Sequence, residues 1–212
     1  MRPVGFTPKS CISFLPKDDP VRTSELILSR RTVRRFKTTA VERWRLEKLV
    51  NAGRLAPSAG NLQPLEFIAV DEEEVRRAVF PCLRWAAYIA PRGNPGPGQE
   101  PMAYIVTIVN LAVREKGFEY DVGAAMENMI LEARGEGLAS CWLLSIEREK
   151  LAGILNVPQG YRIDCVLALG YPDESPIVEE SSESVKYWKD AEGTLHVPKR
   201  PLSSVLHINR FG

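Results

Sequence analysis

Apolar and polar positions follow two periods along this chain. From Val41 to Leu55, the residues Leu46, Leu49, Val50 and Leu55 recur at helical spacing among charges, which predicts an amphipathic helix. From Ala103 to Asn110 the run Ile105-Val106-Thr107-Ile108-Val109 is almost continuously apolar, which predicts a buried strand. Tyr120 to Gly137 carries Val122, Gly123, Ala124, Ala125, Met126, Met129, Ile130 and Ala133, with little charge before Glu132. A long helix buried on most sides is expected there, ended by Gly137. Leu65–Val70, Leu138–Leu144 and Cys165–Leu169 read as further strands. Glu72 to about Trp85 and Glu147–Leu155 read as helices.

The connections have their own signals. Ala56-Pro57-Ser58-Ala59-Gly60-Asn61-Leu62-Gln63-Pro64 breaks the first long helix into a tight, specified loop. Pro91 to Gly98 is too rich in proline and glycine for regular structure. Asp173 to Val185 is acidic and serine-rich and reads as a loop. Trp188 to Val197 reads as a hairpin turning at Glu192-Gly193, and Leu202–Leu206 as a short helix. Helices and strands interleave without regular βα alternation. The expected fold is therefore an α+β sandwich, with a central, mostly antiparallel sheet flanked by helices. Residues 1–23, dotted with Pro3, Pro8, Pro16 and Pro20, read as an N-terminal extension, and residues 24–212 as one domain.

Composition narrows the function. The chain has 212 residues, 44% of them hydrophobic, and a formal net charge of +1. Balanced charge argues against a general nucleic-acid or membrane-surface binder. No apolar stretch is long enough to span a bilayer, and no apolar leader follows Met1, so a cytoplasmic protein is expected. The four cysteines, Cys11, Cys82, Cys141 and Cys165, lack metal-ligand spacing, and His196 and His207 add no cluster, so no metal is expected.

Against that balance, Ser29-Arg30-Arg31-Thr32-Val33-Arg34-Arg35-Phe36 packs four arginines and two hydroxyls into eight residues. Guanidinium groups are permanently charged forks that fit phosphate oxygens. Ser24 can cap a short helix through Glu25–Leu28 that runs on into the arginines. On such a helix Arg30 and Arg34 share a face, with Arg31 and Thr32 beside them, and Arg35 turns about 100° away to the surface. Two readings follow: a clamp for one dianion, or a solvated basic face. Elsewhere there is no Gly-x-Ser-x-Gly elbow, no phosphate-binding glycine-lysine loop and no dinucleotide glycine fingerprint. No catalytic side chain is evident. A phosphate clamp and an amide-rich turn without one suggest a bound cofactor that carries the chemistry.

Five segments taken in order carry a resemblance. Arg30–Phe36 resembles the opening motif of the FMN-dependent nitroreductase family, and Ala56–Pro64 its second motif. Asp121-Val122-Gly123-Ala124-Ala125, Asn128 and Gly137-Leu138-Ala139-Ser140-Cys141-Trp142 resemble its central helix and next strand. Leu167–Pro172 and Arg200–Gly212 resemble its last core strand and C-terminal segment. The resemblance implies a homodimer with FMN at the subunit interface. It implies that Arg30, Arg31, Thr32 and Arg34 hold the FMN phosphate and ribityl chain, with Arg200 and Lys199 closing the phosphate site. Pro57, Ser58 and Ala59 would lie against the flavin ring from the other subunit, and Asn61 would hydrogen-bond the ribityl chain or ring edge. Gln63 would contact the flavin or cap its own loop. Main-chain amides of Leu143, Leu144 and Ser145 would lie near flavin N5; some members carry an acidic residue where this chain has Leu144, so its role there runs through the main chain.

The implied activity is ping-pong. NAD(P)H reduces the flavin by hydride transfer at N5 and leaves, and a nitroaromatic or quinone follows into the same cleft. Dehalogenation, dehydrogenation or FMN binding without turnover stay open, because the motifs identify FMN better than substrate. Trp85 and Tyr88, with the Pro91–Gly98 segment, either border the substrate cleft, the glycines letting the segment move, or form an ordinary loop with core aromatics. The long apolar helix over Tyr120–Gly137 is the expected dimer contact.

Overall fold

The computed structural model describes residues 23–211. The expected N-terminal extension lies outside the described residues except for Thr23. The helices in chain order are α1 (Thr23–Ser29), α2 (Arg43–Arg54), α3 (Glu73–Val79), α4 (Glu119–Gly135) and α5 (Arg148–Ile154). The strands are β1 (Leu65–Val70), β2 (Ala103–Asn110), β3 (Ala139–Leu143), β4 (Tyr161–Gly170), β5 (Ile177–Glu180), β6 (Trp188–Lys189) and β7 (Leu195–Lys199). Among the described residues no helix is long and apolar enough to cross a membrane.

The central sheet has the order β1-β2-β4-β3, and every neighbouring pair is antiparallel. Alternate side chains feed two separate cores. Tyr104, Val106 and Ile108 of β2 pack with Val79 of α3 and Leu151 of α5. Ile105 and Val109 pack with Leu46 and Leu49 of α2 and with Met126 and Met129 of α4. Both faces are covered, so β2 carries no polar alternation for the sequence to display. Each large aliphatic side chain so buried contributes about 1.5–3 kcal/mol by leaving water.

β4 begins at Tyr161, earlier than the apolar run from Cys165 suggests. Its first half is half-masked by Arg162 and Asp164. The register against β2 shifts between Thr107 and Ile108, whose partners are Cys165 and Ile163. Asp164 is therefore an extra residue in β4. Arg148 holds this irregularity from α5, donating to the carbonyls of Ile163 (3.1 Å) and Asp164 (2.9 Å).

Two further boundaries differ from the sequence reading. The expected helix from Glu72 to Trp85 stops at Val79, and a short 3-10 turn, Phe80–Cys82, follows. Pro81 supplies no amide for another helical turn. The expected loop over Asp173–Val185 contains β5, which pairs in parallel with β7 from Ile177↔His196 to Glu180↔Lys199. Its strand identity comes from a partner 19 residues on, not from its own acidic composition.

The second sheet has the order β5-β7-β6, and the β6–β7 hairpin expected at Glu192-Gly193 is present. His196 of β7 locks it. Its Nδ1 lies 3.1 Å from Glu179 of β5, its Nε2 3.1 Å from Asp190 in the turn, and its ring stacks on Trp188 at 4.0 Å. The hydrogen bonds to Asp190 and Glu179 raise the His196 pKa. Trp188 and His196 hold Glu179 low, and His196 holds Asp190 low. The histidine contribution is complete below its ordinary value of about 6.5 and fades as pH rises through the raised value. The two carboxylate contributions fade in the opposite direction, as acid protonates them. The denaturation midpoint, read from tryptophan fluorescence, should therefore fall on the alkaline side of about pH 6.5. His196→Gln should remove that step, and a wild-type midpoint flat across this range would refute the clamp.

Candidate cofactor site

α1 closes its last turn with the Arg30 amide on the Leu26 carbonyl (2.8 Å) and then stops. The helical continuation expected through Arg34 does not form. Instead Thr32 bridges Ser140 of β3 in parallel, and the Val33 amide donates to the Ser140 carbonyl at 3.0 Å. Phe36 bridges Pro172, and its ring fills the space over Gly170, where an added Cβ would sit 2.9 Å from the Phe36 ring. Buried Val33 and Phe36 and the sheet edge outweigh local helix propensity.

The arginines consequently part. Arg30 and Arg31 frame a cavity of about 200 Å³ together with Arg134 from the last turn of α4, over Ser140 and Ile130. Arg134 Nε donates to Ser29 Oγ at 3.1 Å, and Arg30 Nε lies 3.7 Å from Glu127. Arg31 donates to the carbonyls of Arg30 and Leu28. Burial lowers the Arg31 pKa, and the charges of Arg30 and Arg134 lower it further. Three crowded cations are what a dianion would relieve. The sequence reading missed Arg134, whose nearness to Arg30 only the sheet order and α4 create.

Arg34 turns the other way. Its amide donates to Glu174 Oε1 (2.6 Å), and its guanidinium carbon lies 5.3 Å from the Tyr187 ring centroid. Cys141 is nearby: burial lifts its thiol to about 11 against the lowering effect of Arg34. Arg34 Nε is buried with no hydrogen-bond partner among the described residues, and so is Arg35 Nε. Arg35 is thus not the surface residue expected from helix geometry. Lys189, with its side chain 6% exposed, lies 3.7 Å from Glu174. Burial lowers the Lys189 pKa; Glu174 opposes this, while Arg35 and Arg34 add to it. Lys189 is thus crowded by two arginines and paired with one carboxylate.

The loop from Ala56 to Pro64 is built to hold one shape. Gly60, Asn61 and Gln63 all have left-handed φ values, of 62°, 54° and 50°. The Gln63 amide donates to Ser58 Oγ (3.0 Å), the Asn61 amide to the Ser58 carbonyl (2.9 Å), and Gln63 Nε2 to the Asn61 carbonyl (3.4 Å). Gln63 therefore does the loop-capping work that was one of its two readings. Asp121, 4% exposed in α4, accepts the Ala59 amide at 3.0 Å and meets Arg114 at 3.4 Å. Pro57, Ala59 and Asn61 are left facing outward. Asp121 and Arg134 are 13 residues apart on one helix, so the loop and the arginine cavity lie ~20 Å apart along α4.

The remaining expected residues are dispersed. Leu143 ends β3 and is buried. The Leu144 carbonyl accepts from Arg148 (3.1 Å) and the Ser145 carbonyl from the Arg84 amide (3.0 Å), which fixes the strand end. Lys199 pairs with Glu180 at the end of β7, and Arg200 donates to the Ser204 carbonyl. Trp85 is 7% exposed and packs near Phe80, whereas Tyr88 is 62% exposed with its ring 5.0 Å from Tyr187. Of the two aromatics only Tyr88 faces open space. Gly93 is buried, and an added Cβ would meet Ala86 Cβ at 2.3 Å. That part of the Pro91–Gly98 segment is packed.

A four-stranded antiparallel sheet with helices on both faces defines a class of α+β sandwich protein. Residues 27–171 match the model of the Nitroreductase family, and the chain belongs to that family. A relative from Archaeoglobus fulgidus, provisionally named NADH dehydrogenase/NAD(P)H nitroreductase, is 30% identical over 165 residues, covering 73% of this chain and 88% of its own. The NADH dehydrogenase of Thermus thermophilus is 26% identical over 195 residues, covering 76% and 93%. The solved structure of an FMN-dependent nitroreductase from Clostridium difficile R20291 superposes with a TM-score of 0.62 at 25% identity, covering 88% of this chain and 98% of that one. The fold and the expected family thus agree with the sequence reading.

The Asp121 anchor can be tested directly. Asp121→Ala leaves the Ala59 amide and Arg114 without their acceptor and should cost about 1–3 kcal/mol. Asp121→Asn, which keeps an acceptor, should cost less. Denaturant midpoints give the order, and limited proteolysis should cut the 57–63 loop faster in the alanine variant alone.

Proposed function

We propose that this protein is an FMN-dependent oxidoreductase that uses NAD(P)H to reduce small electron-poor acceptors such as nitroaromatics or quinones. One observation carries the reading: Arg30, Arg31 and Arg134 converge on one cavity, which a single acid, Glu174, also lines. An FMN phosphate suits the cavity in charge and in its need for several donors. The Arg34 Nε is a donor for an acceptor atom at the flavin edge. FMN held there would supply two-electron redox chemistry between NAD(P)H and the acceptor.

The chain's own residues bind and orient. Thr32, whose main chain is held on Ser140, follows Arg31 directly and would serve the ribityl chain. Leu143, Leu144 and Ser145 present main-chain amides at a strand end fixed by Arg148 and Arg84. Lys199 and Arg200 do not line the arginine cavity within one chain, and a role at the phosphate would need a movement of the C-terminal segment or the second copy. Pro57, Ser58, Ala59 and Asn61 lie too far along α4 to reach the same cofactor within one chain. Antiparallel pairing of two α4 helices puts the loop of one copy at the arginine end of the other, and the protein works as a homodimer for that reason. α4 is less apolar than its sequence suggests. Its outward side carries Tyr120, 85% exposed, the small residues Gly123 and Ala124, and Glu127. The small residues let a second helix approach closely.

The purified protein should be yellow, bleach with NADH or NADPH, and recolour on adding a quinone or nitroaromatic. Arg30→Ala should weaken FMN about 10- to 150-fold, the loss of one charge-assisted contact, and riboflavin far less. Lys37→Ala is the matched control: it removes one charge from an exposed position in the same stretch and should leave FMN affinity within about twofold. Equal weakening of FMN and riboflavin in Arg30→Ala would remove the phosphate role.

A further inference from the structure

A cleft of about 590 Å³ opens between the Tyr88–Arg92 stretch and the second sheet. Its size is that of a small-molecule pocket. Nothing in the flavin-binding motifs accounts for it. Three rings line it: Tyr88, Tyr187 and Trp188. Tyr88 and Trp188 are exposed, so aromatic surface is held in water around a concave space.

The charges in the cleft are unequal. Two acids line it, Glu179 and Glu183. Glu179 is already engaged, with Oε1 accepting Trp188 Nε1 at 2.9 Å and Oε2 on His196 at 3.1 Å. Three cations line it, Arg92, Lys186 and Lys189. Lys189 is buried on Glu174. Lys186 and Arg92 are exposed, and Lys186 Nζ stands 6.0 Å from the Tyr88 ring centroid. The charge left for a ligand is therefore positive, and it lies beside aromatic faces. The cleft also adjoins the cofactor site, because Tyr187 lies under Arg34.

We propose that this cleft binds anionic aromatic compounds, with Lys186 and Arg92 receiving the acid group and Tyr88 and Trp188 holding the ring. The inference rests on the oxidoreductase reading for its consequence, which is that aromatic acids are the preferred acceptors. The binding itself does not depend on turnover.

The test uses a matched pair, 3-nitrobenzoate and 3-nitrobenzamide, which share ring and nitro group and differ in charge. Each is titrated calorimetrically into the flavin-loaded protein without NAD(P)H. The acid should bind about fivefold or more tightly than the amide at low salt, and added salt should narrow the gap. Lys186→Gln combined with Arg92→Gln should bring the two affinities together. Tyr88→Ala should weaken both probes. Both charged positions are exposed, and an unchanged near-UV spectrum checks that the double variant is folded. Equal affinities in the wild type, no binding of either probe, or a preference that survives the double variant would each overturn the proposal. A separate NADH assay keeps the two readings apart. Binding preference without turnover of any acceptor would sink the oxidoreductase reading alone, and turnover without preference would sink this one alone.

Discussion

The seating of Phe36 over Gly170 is the contact on which the candidate site depends. It fastens a segment with no regular structure of its own to the end of the longest strand, while Val33 and Thr32 fasten it to β3. Between these fixed points the arginines have little freedom, and each is sent to a different neighbour. A glycine at 170 is required because any side chain would occupy the ring's place. Basic residues on a loose loop would spend much of their attraction for an anion on becoming ordered. Here folding meets that cost before a ligand arrives.

The two-sided core explains which parts of the fold were legible in the sequence. β2 was readable to the residue because burial on both faces leaves an uninterrupted apolar run. α2 was readable because one of its faces is wet. What failed was decided by partners distant in sequence. The Arg30–Phe36 stretch has helix-compatible residues, and its actual conformation is set by β3, more than 100 residues later. β5 is a strand only because β7 lies beside it. Asp173–Val185 was read from composition, and composition does not register pairing.

The site was partly legible for the same reason. The arginines and the 56–64 loop are contiguous motifs, and their residues stood out. The resemblance to a flavoprotein family grouped them, and the family match agrees. Arg134 and Asp121 were not singled out for these roles, although one joins the arginine cavity and the other ties down the loop. Both are single polar residues at opposite ends of a mostly apolar helix. Nothing local distinguishes them from residues that cap or solubilise a helix. Arg35 was misjudged through a helical rotation that does not exist in the folded chain.

The crowding of Arg34 and Arg35 near buried Lys189 has a consequence for the whole molecule rather than for its chemistry. Positive charge enclosed with too few acceptors weakens the native state relative to the unfolded chain. An anion bound by the native form alone stabilises it by about 2.7 kcal/mol at a hundred times its dissociation constant. That is a large share of the stability of a typical domain. A cofactor bound as proposed would thereby also shrink the unfolded fraction open to proteases.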